Sequence, residues 1–208
     1  MMYIPTADTD TLTVQPFAAA LEQQRTAPCD YDREKWLYVP CTLLPYRYIL
    51  GTRGRRPLIC IGINPSTAVP GALDNTLKSV ERVAQNGGFD SFTMFNVYAQ
   101  RATDPDHMDA LCNRRLHEEN MAAFRYVLEQ SADTPVVWAA WGTIIEKRPY
   151  LPACLRDMIA IGQEYGAQWV TAGRRSKKGH PHHPLYLRAD SPLEAFAVEE
   201  YLNSLCTG

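Results

Sequence analysis

The sequence predicts an α/β protein, a three-layer α/β/α sandwich around a central, mainly parallel, four-stranded sheet. Three observations predict it. Continuous apolar runs recur as PLICIGINPS, SFTMFNVYA, PVVWAAWG and QWVTA, near residues 58, 92, 136 and 168, as strands buried on both faces require. Stretches with helical spacing lie between them, and strict alternation of strand and helix implies parallel pairing through right-handed crossovers. The longest strongly apolar run, Leu58 to Ile63, is six residues, against the ~20 that a membrane helix needs. No membrane span is expected.

Residues 1–34 mix Thr, Asp and Pro with one short helical candidate, Phe17 to Arg25, and read as a loosely attached N-terminal arm ahead of an α/β body over 35–208. WLYVP and YRYIL, around Pro45, suggest a short antiparallel pair or an edge strand. After the first core strand, Asn75 to Gln85 carries Leu77, Val80, Val83 and Ala84 at helical spacing and stops at Gly87-Gly88. Residues 106–130 read as one long helix. Thr143 to Gln163 is helical with Pro149 and Pro152 interrupting it, and Leu193 to Leu205 is a closing helix.

At 208 residues with 46% hydrophobic and 21% charged side chains, the chain has an ordinary globular composition and reads as one domain. Six cysteines (Cys29, Cys41, Cys60, Cys112, Cys154, Cys206) form no C-x-x-C pair, so reduced and mostly buried thiols are expected rather than a metal ribbon. The start, MMYIPTADTD, lacks a basic region followed by an apolar one, so a cytoplasmic location is expected. The net charge of −2 hides a strong local asymmetry. Thr171 to Arg188 holds Arg174, Arg175, Lys177, Lys178, Arg188 and three histidines with no acid, and Arg53, Arg55 and Arg56 form a second cluster. Such a distribution suits one face that meets phosphates, against the alternative of merely solvated loops.

Several signatures are missing. No G-x-x-x-x-G-K-[ST] loop and no G-x-S-x-G elbow is present, and GTRGRR precedes the first core strand, where a nucleotide-binding turn does not belong. Gly51 to Gly54 is only a lone G-x-x-G. His180, His182 and His183 have no carboxylate or cysteine spaced as a metal partner, so neither metal nor cofactor is expected. In sheets of this kind ligands bind beyond the carboxyl ends of the strands. That makes Asn64, Pro65 and Ser66, then Asn96, then Trp141 and Gly142, and finally RRSKKGHPHHPLYLR the candidates.

GINPS, FNVYAQRATDP, WAAWG and HPHHPLYL, in this order at strand ends, resemble the uracil-DNA glycosylase superfamily, particularly its mismatch-specific uracil/thymine branch, over about residues 47–188. RATDP and HPHHPLYL are closer still to a bacterial branch labelled as a domain of unknown function, and some proteins similar to that branch are anti-phage glycosylases that excise hypermodified cytosine. The resemblance implies a uracil-DNA-glycosylase-like fold. It also implies a monofunctional DNA glycosylase that hydrolyses the N-glycosidic bond of a flipped-out pyrimidine in double-stranded DNA and leaves an abasic site. On that reading Asn64 orients the attacking water, and His183 or His180 donates to the pyrimidine O2 as charge develops there. Gly62, Ile63, Pro65, Ser66, Asn96 and Trp141 form the base pocket, with Asn96 offering both an amide donor and an acceptor. Arg174, Arg175, Lys177 and Lys178 hold phosphates, and Leu185 or Tyr186 is the wedge that fills the vacated stack.

One departure bears on substrate. Fast uracil-specific relatives carry Tyr after the Pro of this turn, closing the space beside C5 of the base, whereas this chain has Ser66 followed by Thr67. A C5-modified cytosine of phage or other foreign DNA is therefore the expected base. Three other readings remain open: a uracil/thymine mismatch-repair glycosylase, a hydrolase of free modified nucleosides or nucleotides, and a non-catalytic nucleic-acid-binding module.

Overall fold

A computed structural model describes residues 13–188 and 190–206 of the chain, without the side chains of Tyr186 and Cys206. Its centre is one mixed sheet of seven strands: β1 (Trp36–Val39), β2 (Ile49–Thr52), β3 (Pro57–Gly62), β4 (Ser91–Asn96), β5 (Val136–Ala139), β6 (Gln168–Ala172) and β7 (Leu193–Ala195). They lie in the order β1-β2-β4-β3-β5-β6-β7. The pairs β3/β4, β3/β5 and β5/β6 are parallel; β1/β2, β2/β4 and β6/β7 are antiparallel. This corrects the expected four-stranded, mainly parallel sheet. The four apolar runs do form the parallel centre, and shorter strands extend it on both sides.

Five helices accompany the sheet: α1 (Phe17–Thr26), α2 (Asn75–Asn86), α3 (Arg114–Glu129), α4 (Leu151–Glu164) and α5 (Val198–Cys206). Strand residues alternate between two cores, as a period of two dictates. Ile59, Ile61, Phe95 and Val137 belong to a core that also takes Phe17, Phe124, Leu155 and Tyr201 from α1, α3, α4 and α5. Leu58, Cys60, Phe92 and Trp138 belong to a second core with Leu77, Val80 and Val83 of α2. Asp74 starts α2, accepting from the Leu77 amide at 2.9 Å.

Three local expectations change. Residues 106–130 are not one helix, because Asn113 caps α3 by accepting from Leu116 N, and only a 3₁₀ turn, Pro105–His107, lies before it. Leu193–Ala195 is strand rather than helix, pairing Leu193 with Ala172 along the edge of β6. The described part of the N-terminal arm is not loose. Phe17, Ala20 and Leu21 are buried in the first core, and the buried Glu119 carboxylate accepts from Phe17 N at 2.6 Å.

Of the five described cysteines, all free thiols, Cys60 and Cys154 are buried and the other three half-buried, so mostly buried thiols are not what the fold contains. No helix among the described residues is long and apolar enough to cross a membrane.

Candidate functional site

The carboxyl ends of β3 to β6 open on a cavity of about 710 Å³, within the ~300–1,000 Å³ usual for small-molecule sites. Two walls form it, one of asparagine and one of histidine.

The asparagine wall grows directly out of β3 and β4. Beyond Gly62 the two chains stay zipped together, with Val97 N donating to Gly62 O, Tyr98 N to Ile63 O and Ala102 N to Pro65 O, each at 2.9 Å. A Cβ at position 62 would meet Met94 Cε at 2.5 Å and Asn96 Oδ1 at 3.1 Å, so a larger residue there would push the Met94 tip aside and crowd Asn96. The Asn64 amide nitrogen donates to Ala102 O at 2.7 Å and to Pro65 O at 3.2 Å. With both protons so held, Oδ1 is the end left to accept from a ligand or water. Asn96, 1% exposed, is oriented by its hydrogen bonds, its amide nitrogen donating to the carbonyls of Asn64 and Phe95 at 3.3 Å each. In that orientation backbone carbonyls take its protons and its oxygen is the end left to accept.

The histidine wall is the segment after β6. Gly173 has φ +74, where any other residue would be strained, and a Cβ there would also push on Leu187 Cδ2 at 2.5 Å, so the turn favours glycine. His180 N and Gly179 N donate to Ser176 Oγ and O, and Ser176 N donates back to His180 O, making a tight loop. The His180 ring is buried, with Nδ1 2.8 Å from the Tyr201 hydroxyl. That hydroxyl accepts from Trp141 Nε1 at 3.0 Å. The Glu146 carboxylate beside Nε2 can only accept, so the imidazole proton sits on Nε2, and with the indole donating to the Tyr201 oxygen the hydroxyl proton points to His180 Nδ1. Burial pushes Tyr201 up to about 12, which keeps that proton in place. His180 Nε2 has no hydrogen bond, and Glu146 Oε1 stands 3.5 Å away.

His183 reaches the same tautomer by another route. It caps the 3₁₀ turn Pro184–Tyr186, its Nδ1 accepting from Leu185 N at 3.3 Å, so its proton too is on Nε2. Burial holds His180 below the ordinary histidine value, outweighing the opposing pull of Glu146. Burial and neighbouring His182 do the same for His183, against Asp74. Both rings are neutral N–H donors at pH 7.

Gly62, Ile63, Asn64, Ser66, Asn96 and Trp141 line the cavity, as do Arg174, His180, His183 and Leu185. Leu185 is 41% exposed, a rare large apolar side chain left open to solvent. Pro65, Arg175, Lys177 and Lys178 do not line it. Pro65 is buried behind the turn, Arg175 lies over the Phe196 ring at 5.8 Å, and Lys178 is paired with the Glu146 carboxylate at 2.9 Å. The Tyr186 side chain lies outside the described residues. Arg53, Arg55 and Arg56 precede β3 and so sit at the other end of the sheet, where Asp90 accepts from the Arg55 and Arg56 amides. The two basic clusters therefore do not share a face.

Sequence reasoning passed over three residues here. Arg47, inside the apolar YRYIL run, is 1% exposed, lines the cavity and donates from Nη1 to Ala68 O at 3.0 Å. Burial and the nearby Arg101 guanidinium push it down to about 9, which leaves it charged. Arg101 in turn donates to Ser66 O and to the Tyr38 hydroxyl, so the two arginines hold the loop after β3 by its carbonyls. Asp74 and Tyr201 are the others. Among the described residues no group of three or more His, Cys, Asp or Glu is placed to hold a metal ion.

Fold and cavity together define an α/β protein with a cavity at the carboxyl edge of a mixed sheet. Residues 47–185 match the model of the family described as Protein of unknown function (DUF1643), and the chain belongs to that family. No curated protein and no solved structure matches the chain significantly.

Proposed function

We propose that this protein is a monofunctional DNA glycosylase that removes a C5-modified cytosine from foreign, for instance phage, DNA in the cytoplasm, on a fold of the uracil-DNA glycosylase kind. The observation that carries the reading is the convergence, in one cavity, of Asn64 with its oxygen to offer, Asn96 with an acceptor, and two neutral imidazole N–H donors. N-glycosidic hydrolysis asks for these groups: an oriented water, a reader of the base, and a donor to the oxygen on which charge develops. An acceptor at Asn96 favours a base with an exocyclic amine, as cytosine has, over the carbonyl that uracil and thymine present at the same place. Ser66 leaves room beside C5, and exposed Leu185 at the cavity suits insertion into a base stack.

The test is release of base from duplex oligonucleotides carrying one uracil, one thymine opposite guanine, one 5-hydroxymethylcytosine or its glucosylated form, read as alkali-sensitive strand breaks. Breaks at a C5-substituted cytosine are expected. Efficient cutting of uracil alone would turn the reading into housekeeping repair.

A second reading, hydrolysis of a free modified nucleoside or nucleotide, is favoured by the thin basic field at the cavity. Lys178 is taken by Glu146, and the Arg53 cluster is at the far end of the sheet. Release from the free nucleoside but not from duplex would establish it.

A further inference from the structure

We infer that Asp74 is the base that takes the proton from the attacking water, a role that rests on the glycosidic hydrolysis proposed above. The amide of Asn64 can orient a water but cannot accept its proton at neutral pH. Nor can the two capped histidines. His180 Nδ1 is turned to the Tyr201 hydroxyl and His183 Nδ1 to Leu185 N, so each presents a protonated Nε2. Asp74 is the one carboxylate among the described residues that line the cavity.

Its environment fits that use. One oxygen, Oδ1, accepts from Leu77 N and caps α2, while the other has no hydrogen-bond partner or ion pair among the described residues. α2 packs against the turn that follows His183. The Asp74 charge is felt by both His183 and Arg47, so the carboxylate sits between the histidine wall and the loop after β3. Arg47 is a second, independent sign of a ligand there: a 1%-exposed guanidinium lining the cavity, with its Nε unpartnered. A charged donor left open beside a carboxylate calls for a polar occupant between them.

The step balances without a co-reactant. A water O–H bond breaks and its proton passes to the Asp74 carboxylate as the oxygen bonds to C1′. The C1′–N bond breaks, and its electron pair leaves with the base, whose oxygen accepts from an imidazole N–H.

Asp74→Asn separates this role from capping, because Asn caps a helix as well as Asp does. Single-turnover base release from the oligonucleotides named above should fall at least about 100-fold. The thermal midpoint and oligonucleotide affinity should stay at wild-type values. His182, the third ring at the cavity, is the rival acceptor, and His182→Asn should keep release within about threefold of wild type. Wild-type-like release by Asp74→Asn overturns the inference and leaves the glycosylase reading intact, as does loss confined to His182→Asn. No release by the wild-type protein from any duplex overturns the glycosylase reading, and this inference with it.

Discussion

The two walls of the cavity do similar work by different construction. Asn64 and Asn96 are held by backbone carbonyls at the end of β4 and in the segments that follow β3 and β4, all within residues 64–102. The histidine rings are held otherwise, His183 by the Leu185 amide of its own turn and His180 by the Tyr201 hydroxyl of the last helix, which rests in turn on Trp141 after β5. A wall fastened by the sheet's own ladder keeps its geometry as long as the sheet is folded. A wall fastened by one hydroxyl can be loosened by one atom.

Asn64→Ala offers the sharpest contrast between them. It should lower base release by roughly 10²–10³-fold, the scale for losing one preorganised polar group, and cost only about 1 kcal/mol of stability. Release within tenfold of wild type would make that wall scaffolding. Ser66→Tyr should lower release of a bulky C5-substituted cytosine about 100-fold by overpacking, and of uracil much less; equal loss on both bases would contradict an open C5 side.

Tyr201→Phe probes the other wall. It leaves the buried Trp141 N–H without its acceptor, so denaturant titration should show about 1–3 kcal/mol of destabilisation, with release also slowed because the His180 proton is no longer fixed on Nε2. An unchanged midpoint would show that the histidine wall has other anchors.

The pH dependence of stability follows from the two rings. Their folded pKa values lie below the unfolded value, so the unfolded chain binds more protons as pH falls. Their contribution is complete above about pH 6.5 and is lost as pH falls through the lowered folded values. His180→Asn and His183→Asn should each flatten the acid side of a stability-versus-pH curve, and unflattened curves would mean that the rings protonate freely in the folded protein. The smallest effect belongs to Lys178→Ala. Its exposed pair with Glu146 is worth at most about 1 kcal/mol, and duplex binding should keep its salt slope if Lys178 meets no phosphate.

Much of this was readable from the residue string, for identifiable reasons. The parallel strands announced themselves because a strand buried on both faces must be apolar without interruption, and Asn64, Asn96 and His183 stood out as polar residues where such runs stop. β7 did not, since three residues before a helix blend into the helical pattern, and only pairing along β6 makes them a strand. Asn113 carried a readable capping signal that a 25-residue helical reading overran. Tyr201 looks like any aromatic on an amphipathic helix, because its partner is 21 positions away. Arg47 hid inside an apolar run, and Asp74 read as nothing more than the start of a helix.

The placement of Tyr201 also bears on where this protein can be cut. Family similarity ends at residue 185 and begins at 47, yet the hydroxyl that orients His180 lies at 201, the outermost strands are 36–39 and 193–195, and Phe17 fills the first core. A fragment trimmed to the similar segment would expose the hydrogen-bonding rows of β2 and β6, an invitation to edge-to-edge association, and would leave Trp141 and His180 facing an empty place. The boundary of resemblance falls inside the boundary of the folding unit, and an expression fragment should respect the second.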